Sequence, residues 1–115
     1  MKHTTFTWDI IRDGVDRETG SPITELIDSV MDSDISQYLY PATMRTNLRV
    51  GRTKNFSRAD GELTIEYKIK SDRVIFNYYS SDVCEPWTME CKGKEIIPTF
   101  LRIITKRLRW INNES

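Results

Sequence analysis

The sequence predicts an α+β fold: a single two-layer domain over residues 1–115, with an antiparallel sheet and helices packed on one side of it. Three observations carry that expectation. Residues 61–79 alternate as two strands joined by a tight turn, the stretches near 22–32 and near 95–112 repeat apolar residues at helical spacing, and the elements lack the regular strand–helix alternation of a parallel sheet. A chain of 115 residues with 38% hydrophobic content supports one core. Its composition excludes collagen-like, disulfide-dense and low-complexity classes and is too apolar for wholesale disorder.

From the N-terminus, Thr5 to Arg12 reads as a strand with Phe6, Trp8 and Ile10 on one face, and Asp13-Gly14 and Glu18 to Pro22 read as turns. Ser21 and Pro22 open a helix, Ser as N-cap and Pro at the first helical position. Ile23, Leu26, Ile27, Val30 and Met31 form its apolar stripe, with Glu25, Asp28 and Asp32 opposite. Continuation past Ser33 would carry Asp34 toward the stripe, so the helix ends there. Ser33 or Asp34 caps a second short helix bearing Ile35, Tyr38 and Leu39, and Pro41 closes it. Residues 45–51 form a strand through Leu48 and Val50.

The hairpin at 61–79 is the clearest signal. Leu63, Ile65, Tyr67 and Ile69 alternate with polar residues, and Ser71-Asp72 is the expected two-residue loop. That loop sets Lys70 opposite Arg73, Ile69 opposite Val74 and Tyr67 opposite Phe76. It leaves Ile75 and Tyr79 on the outer face, which must be covered or serve as a binding surface; a homodimer through this face is also compatible. Trp87 to Cys91 is a further strand. The last helix runs from near 95 to 112, with Ile97, Leu101, Ile104, Leu108 and Ile111 in one row and Pro98 in its first turn.

The chemistry of catalysis finds little purchase. The one histidine, His3, sits in a terminal segment, and no glycine-rich phosphate loop occurs. Cys84 and Cys91 have neither redox nor zinc spacing and are expected as separate thiols. Glu66-Tyr67-Lys68 resembles the E-x-K half of a metal-dependent nuclease signature, with Asp60 upstream, but strand alternation already explains Glu66 and Lys68 as a wet face. Glu25, Asp28 and Asp32 at i, i+3, i+7 would present carboxylates to a divalent cation, yet such a row is commonly the solvated side of a helix. No metal and no cofactor are therefore expected. Lys2 is followed by no apolar leader, and no run approaches the length of a membrane span, so a cytoplasmic location and no membrane partner are expected.

Seventeen basic residues cancel seventeen acidic ones, but not evenly along the chain. Residues 1–40 carry three basic and eight acidic side chains, residues 41–73 eight and four, and residues 74–115 six and five. Two function classes follow. The leading expectation is a small non-catalytic protein that binds another protein with a basic surface stoichiometrically, as inhibitors, immunity proteins and adaptors do. Glu25, Asp28, Asp32 and Asp34 would make the electrostatic contact, and Tyr38 and Tyr79 the aromatic anchors. The alternative is RNA or single-stranded DNA binding through the basic segment 45–58, where Arg45, Arg49, Arg52, Lys54 and Arg58 surround Phe56. A metal-dependent hydrolase ranks third. Both charge-based readings fail if the basic segment lies against the acidic helix and the two neutralise each other.

Overall fold

Five antiparallel strands pair in chain order, β1-β2-β3-β4-β5, and three helices cover one face of the sheet. The computed structural model describes residues 7–16, 22–44, 47–54, 56, 57, 60–81 and 87–111. The elements are α1 (Trp8–Asp16), α2 (Pro22–Met31), β1 (Tyr40–Met44), β2 (Asn47–Gly51), β3 (Glu62–Lys68), β4 (Arg73–Tyr79), β5 (Trp87–Lys92) and α3 (Ile96–Arg102). The helices follow the strand order: α1 lies against β1, α2 against β3 and α3 against β5, with α2 between its two neighbours. The predicted α+β, two-layer arrangement is the observed one.

The core lies between the layers. Leu48, Val50, Leu63, Ile65, Val74 and Phe76 project from the sheet to meet Ile23, Leu26, Ile27 and Val30 of α2 and Ile96 and Phe100 of α3. Alternation along β3 and β4 selects this face, as the sequence implied. None of the described helices is long and apolar enough to cross a membrane.

The first segment departs from expectation: residues 8–16 are helical, not a strand, and Asp13-Gly14 falls inside the helix rather than in a turn. Alternation would place Trp8 and Ile10 on one face, but Trp8 and Ile11 are buried, one helical turn apart, while Ile10 is 48% exposed. The Ile11 amide donates to the Thr7 carbonyl at 3.1 Å, and the Trp8 indole N–H donates to the Leu39 carbonyl at 3.1 Å. Short apolar runs fit both periods, and here docking against α2 decides. Phe6 and the proposed cap Ser21 lie outside the described residues.

Ser33 caps a single 3-10 turn, Asp34–Gln37, its hydroxyl accepting from the Ile35 amide at 3.3 Å. Pro41 does not end that segment; it enters β1, a strand the sequence did not suggest, while β2 occupies the expected 45–51 region. Pro is tolerated there because β1 is a sheet edge.

The hairpin register is two residues from the predicted one. Lys68, not Lys70, faces Arg73, so Tyr67 pairs with Val74 and Ile65 with Phe76. Ile69–Ser71 forms a 3-10 turn, and Asp72 reverses the chain with φ 52°. A two-residue slip preserves which face each side chain takes, so the core set survives. Ile69, however, leaves the core and is 66% exposed.

The last helix is also shorter than 95–112. After α3 the chain widens into a π-helical turn, Ile103–Arg107. Ile103 and Ile104, at the start of that turn, are buried, whereas Leu101, Leu108 and Ile111 of the predicted row are only partly buried.

Candidate functional site

The end of α2 and the turn that follows it build the surface the sequence singled out. Met31, Asp32, Asp34 and Tyr38 are exposed, Tyr38 at 58%, while Leu39 beside it is buried. Burial of Leu39 and Ile35 against the core turns Tyr38 outward. The indole bond from Trp8 to Leu39 brings the start of α1 to the same end of the helix layer, and with it exposed Asp9. The Asp9 carboxyl is held below its ordinary pKa, chiefly by the Thr7 hydroxyl that donates to it at 2.5 Å, so it stays ionised.

Glu25 lies two turns back on α2 and is exposed. Asp28 is bound: the Arg12 guanidinium of α1 engages both of its oxygens, Nη2 at 3.3 Å from Oδ2. Among the described residues, Glu25, Asp32 and Asp34 form no ion pair. Glu25, Asp32, Asp34 and Tyr38 therefore share the helical side of the molecule, and Asp28 ties α2 to α1. Tyr79 does not join them, because its place in β4 puts it on the opposite face of the sheet, across from Glu62.

Of the two outcomes expected for that outer face, partial cover is the one observed. The register sets Ile75 opposite Glu66 and Tyr79 opposite Glu62, and both apolar side chains are half-buried. Segment 52–61 contributes Phe56, which is buried with its ring against Gly51; a Cβ added at Gly51 would lie 2.1 Å from the Phe56 Cγ.

Among the described residues, the basic segment does not lie against the acidic helix. Arg49 points to the outer face, where its Nη2 is 2.5 Å from Oε1 of Glu62 and its guanidinium lies 5.2 Å from the Phe56 ring centroid. Phe56 is thus engaged within the fold and offers no open ring for base stacking. Arg52 and Lys54 are exposed, and Arg45 and Arg58 lie outside the described residues.

The remaining sequence motifs are separated. Asp60 accepts from the Ser57 amide and hydroxyl at 3.0 and 3.2 Å, closing a turn ahead of β3. Strand rise puts Glu66 about 13 Å from Glu62, further still from Asp60, so the two acids of the nuclease-like motif share no site. The described residues hold no group of three or more His, Cys, Asp or Glu able to bind a metal ion. Cys91 is a buried free thiol whose pKa is raised by burial, partly offset by a hydrogen bond with Thr99, so it is held protonated. Cys84 lies outside the described residues.

Sequence reading missed two features. One is the burial of Glu62, which alternation had placed on a wet face. The other is the C-terminal end, where Tyr78 stacks on Trp87 with centroids 5.6 Å apart, Trp110 meets Tyr78 edge-on at 5.9 Å, and the Arg107 guanidinium lies 4.4 Å over Trp87. The density of Trp and Tyr was visible in the sequence, but the return of Trp110 to Tyr78 depends on a chain reversal at Arg109 that no local residue pattern announces.

The chain matches no family model, no curated protein and no solved structure.

Proposed function

We propose that this is a small non-catalytic cytoplasmic protein that binds another protein stoichiometrically, in the manner of an inhibitor, immunity protein or adaptor. Its contact surface is the end of α2, the 3-10 turn and the start of α1. One observation carries the reading: Asp32 and Asp34 are exposed without ion-pair partners among the described residues, beside a Tyr38 that is 58% exposed, and Glu25, two turns back on α2, is exposed and unpaired in the same sense. Unpaired carboxylates of one sign steer a basic partner, and an exposed aromatic next to them supplies the contact area that binding energy concentrates in.

The partner is a protein with a basic surface. Capture on immobilised wild type, on Asp32→Lys/Asp34→Lys and on Tyr38→Ala, each checked for native circular dichroism, tests the assignment. The expected result is a bound protein whose association with the charge-reversed variant is slowed about tenfold or more at low salt. Tyr38→Ala should weaken the same complex by about 2 kcal/mol. A captured protein that binds all three forms equally would place the contact elsewhere.

A further inference from the structure

We infer that the C-terminal turn, residues 105–111, holds a small phosphate-monoester ligand. A straight helix through this region would present Lys106 and Arg109 on a convex surface. Instead, the Leu108 amide donates to the Ile103 carbonyl at 2.7 Å, and the Trp110 and Ile111 amides both donate to the Ile104 carbonyl, at 2.8 and 3.3 Å. Arg109 makes the reversal with φ 55°, a left-handed conformation that a residue with a side chain seldom adopts. The fold-back sets Ile111 beside Thr105 and creates a half-open depression of about 430 Å³, lined by Thr105, Lys106, Arg109 and Ile111.

Three features of this depression point to an anionic ligand with an apolar part. The side chains of Lys106 and Arg109 form no ion pair among the described residues. The Ile103 and Ile104 carbonyls are satisfied by folded-back amides and do not need these cations as caps. Arg107, whose guanidinium lies over Trp87, adds a third positive charge to the same turn. A guanidinium and an ammonium flanking one concavity suit the oxygens of a phosphate, and Ile111 supplies an apolar wall for the group it esterifies. The volume lies toward the small end of organic-ligand sites, which fits one nucleotide-sized molecule or the terminal phosphate of a strand. A π-helical turn and a left-handed arginine together are unusual backbone choices, and such choices concentrate at ligand sites. This site is separate from the acidic surface and does not rest on its proposed role.

Titration calorimetry and amide chemical-shift mapping at low salt test it with adenosine 5′-monophosphate, adenosine, inorganic phosphate, and a single-stranded hexanucleotide with and without a 5′-phosphate. The monophosphate should shift the amides of 105–111 and bind at least about tenfold more tightly than adenosine or inorganic phosphate. Lys106→Gln should weaken it about tenfold. Arg109→Gly, which relieves the backbone strain and preserves the reversal, should abolish binding in a folded protein. Binding by the 5′-phosphorylated oligonucleotide but not by the mononucleotide would uphold the site and identify a strand end as its ligand. Equal binding of the two oligonucleotides, adenosine binding as tightly as its monophosphate, undiminished binding by Arg109→Gly, or no response to any phosphate would overturn the assignment.

Discussion

A carboxylate that is 1% exposed must be compensated, and Glu62 meets Arg49 and the Thr64 hydroxyl, which donates to Oε2 at 3.0 Å. Arg49 is in turn covered by Phe56, which reaches the sheet only because Gly51 has no side chain. Arg49, Glu62 and Thr64, with the Phe56 ring over the guanidinium, thus define one shielded polar knot on the face opposite the helices. Arg49→Met would remove the Arg49 guanidinium from the buried Glu62 carboxylate and should cost about 3 kcal/mol, near the lower end for breaking a buried pair. The double variant Arg49→Met/Glu62→Leu should recover most of that loss. Urea unfolding of the wild type, both single variants and the double variant measures the coupling, and additive losses would show that the pair is not energetically joined. None of this was legible locally. Alternation correctly placed Glu62 and Arg49 on the outer face, but the cover that Phe56 gives Arg49 there is a packing event that strand periodicity does not encode.

At the scale of elements, α2 shows a conflict between charge and backbone. Its first turn carries Glu25, which favours the positive end of the helix dipole, but its last turn has no basic residue and is followed at once by Asp32. Asp32 is still attached to the helix by its amide, which donates to the Asp28 carbonyl at 3.0 Å, so its carboxylate sits against the negative end. Asp28 is compensated by Arg12; among the described residues Asp32 forms no ion pair. Asp32→Lys should therefore stabilise the fold by about 0.3–1 kcal/mol while weakening partner capture, a trade expected of a contact residue and not of a structural one. Chemical denaturation reads the first effect, and a loss of stability would show that Asp32 serves the fold. Helix α2 itself was readable almost to its ends, because Pro22 and the stripe from Ile23 to Val30 agree with its burial. The hairpin was readable in face but not in register, since Asp72 in the left-handed region forces a wider turn than Ser71-Asp72 alone. α1 was misread because Trp8, Ile10 and Ile11 satisfy either period and only contact with α2 and Leu39 separates them. The acidic half of the candidate site was legible for the same reason that α2 was; the exclusion of Tyr79 from it required knowing which strand face met the helices.

Over the whole molecule, zero net charge conceals a polar layout. Asp9 of α1 lies toward the β1 side, since α1 rests on β1, and Glu25, Asp32 and Asp34 follow on the neighbouring α2 and the 3-10 turn. Toward β5 cations outnumber the exposed acids Asp72, Glu90 and Glu95: Lys68, Arg73 and Lys92 face one another along a single rung of β3, β4 and β5, and Arg102, Lys106, Arg107 and Arg109 follow along α3 and the turns after it. Like charges directly opposite in a sheet disfavour the fold slightly, so this layout is not what stability alone would select. The two described ion pairs, Arg12–Asp28 and Arg49–Glu62, are at least partly shielded, whereas the segregated charges are exposed. Salt should consequently separate function from folding. The Debye length falls from about 10 Å at about 0.1 M to about 3 Å at about 1 M, which erases steering between exposed charges but reaches partly buried pairs far less. Across that range the unfolding free energy should change by less than about 1 kcal/mol, because isolated exposed charges contribute little to stability. The association rate with a basic partner should fall tenfold or more, because steering acts over distances that salt screens. Denaturation in urea and stopped-flow association, each repeated across the salt series, measure the two quantities. An association rate that held constant while stability dropped would mean that the exposed charges support the fold and that the partner recognises shape alone.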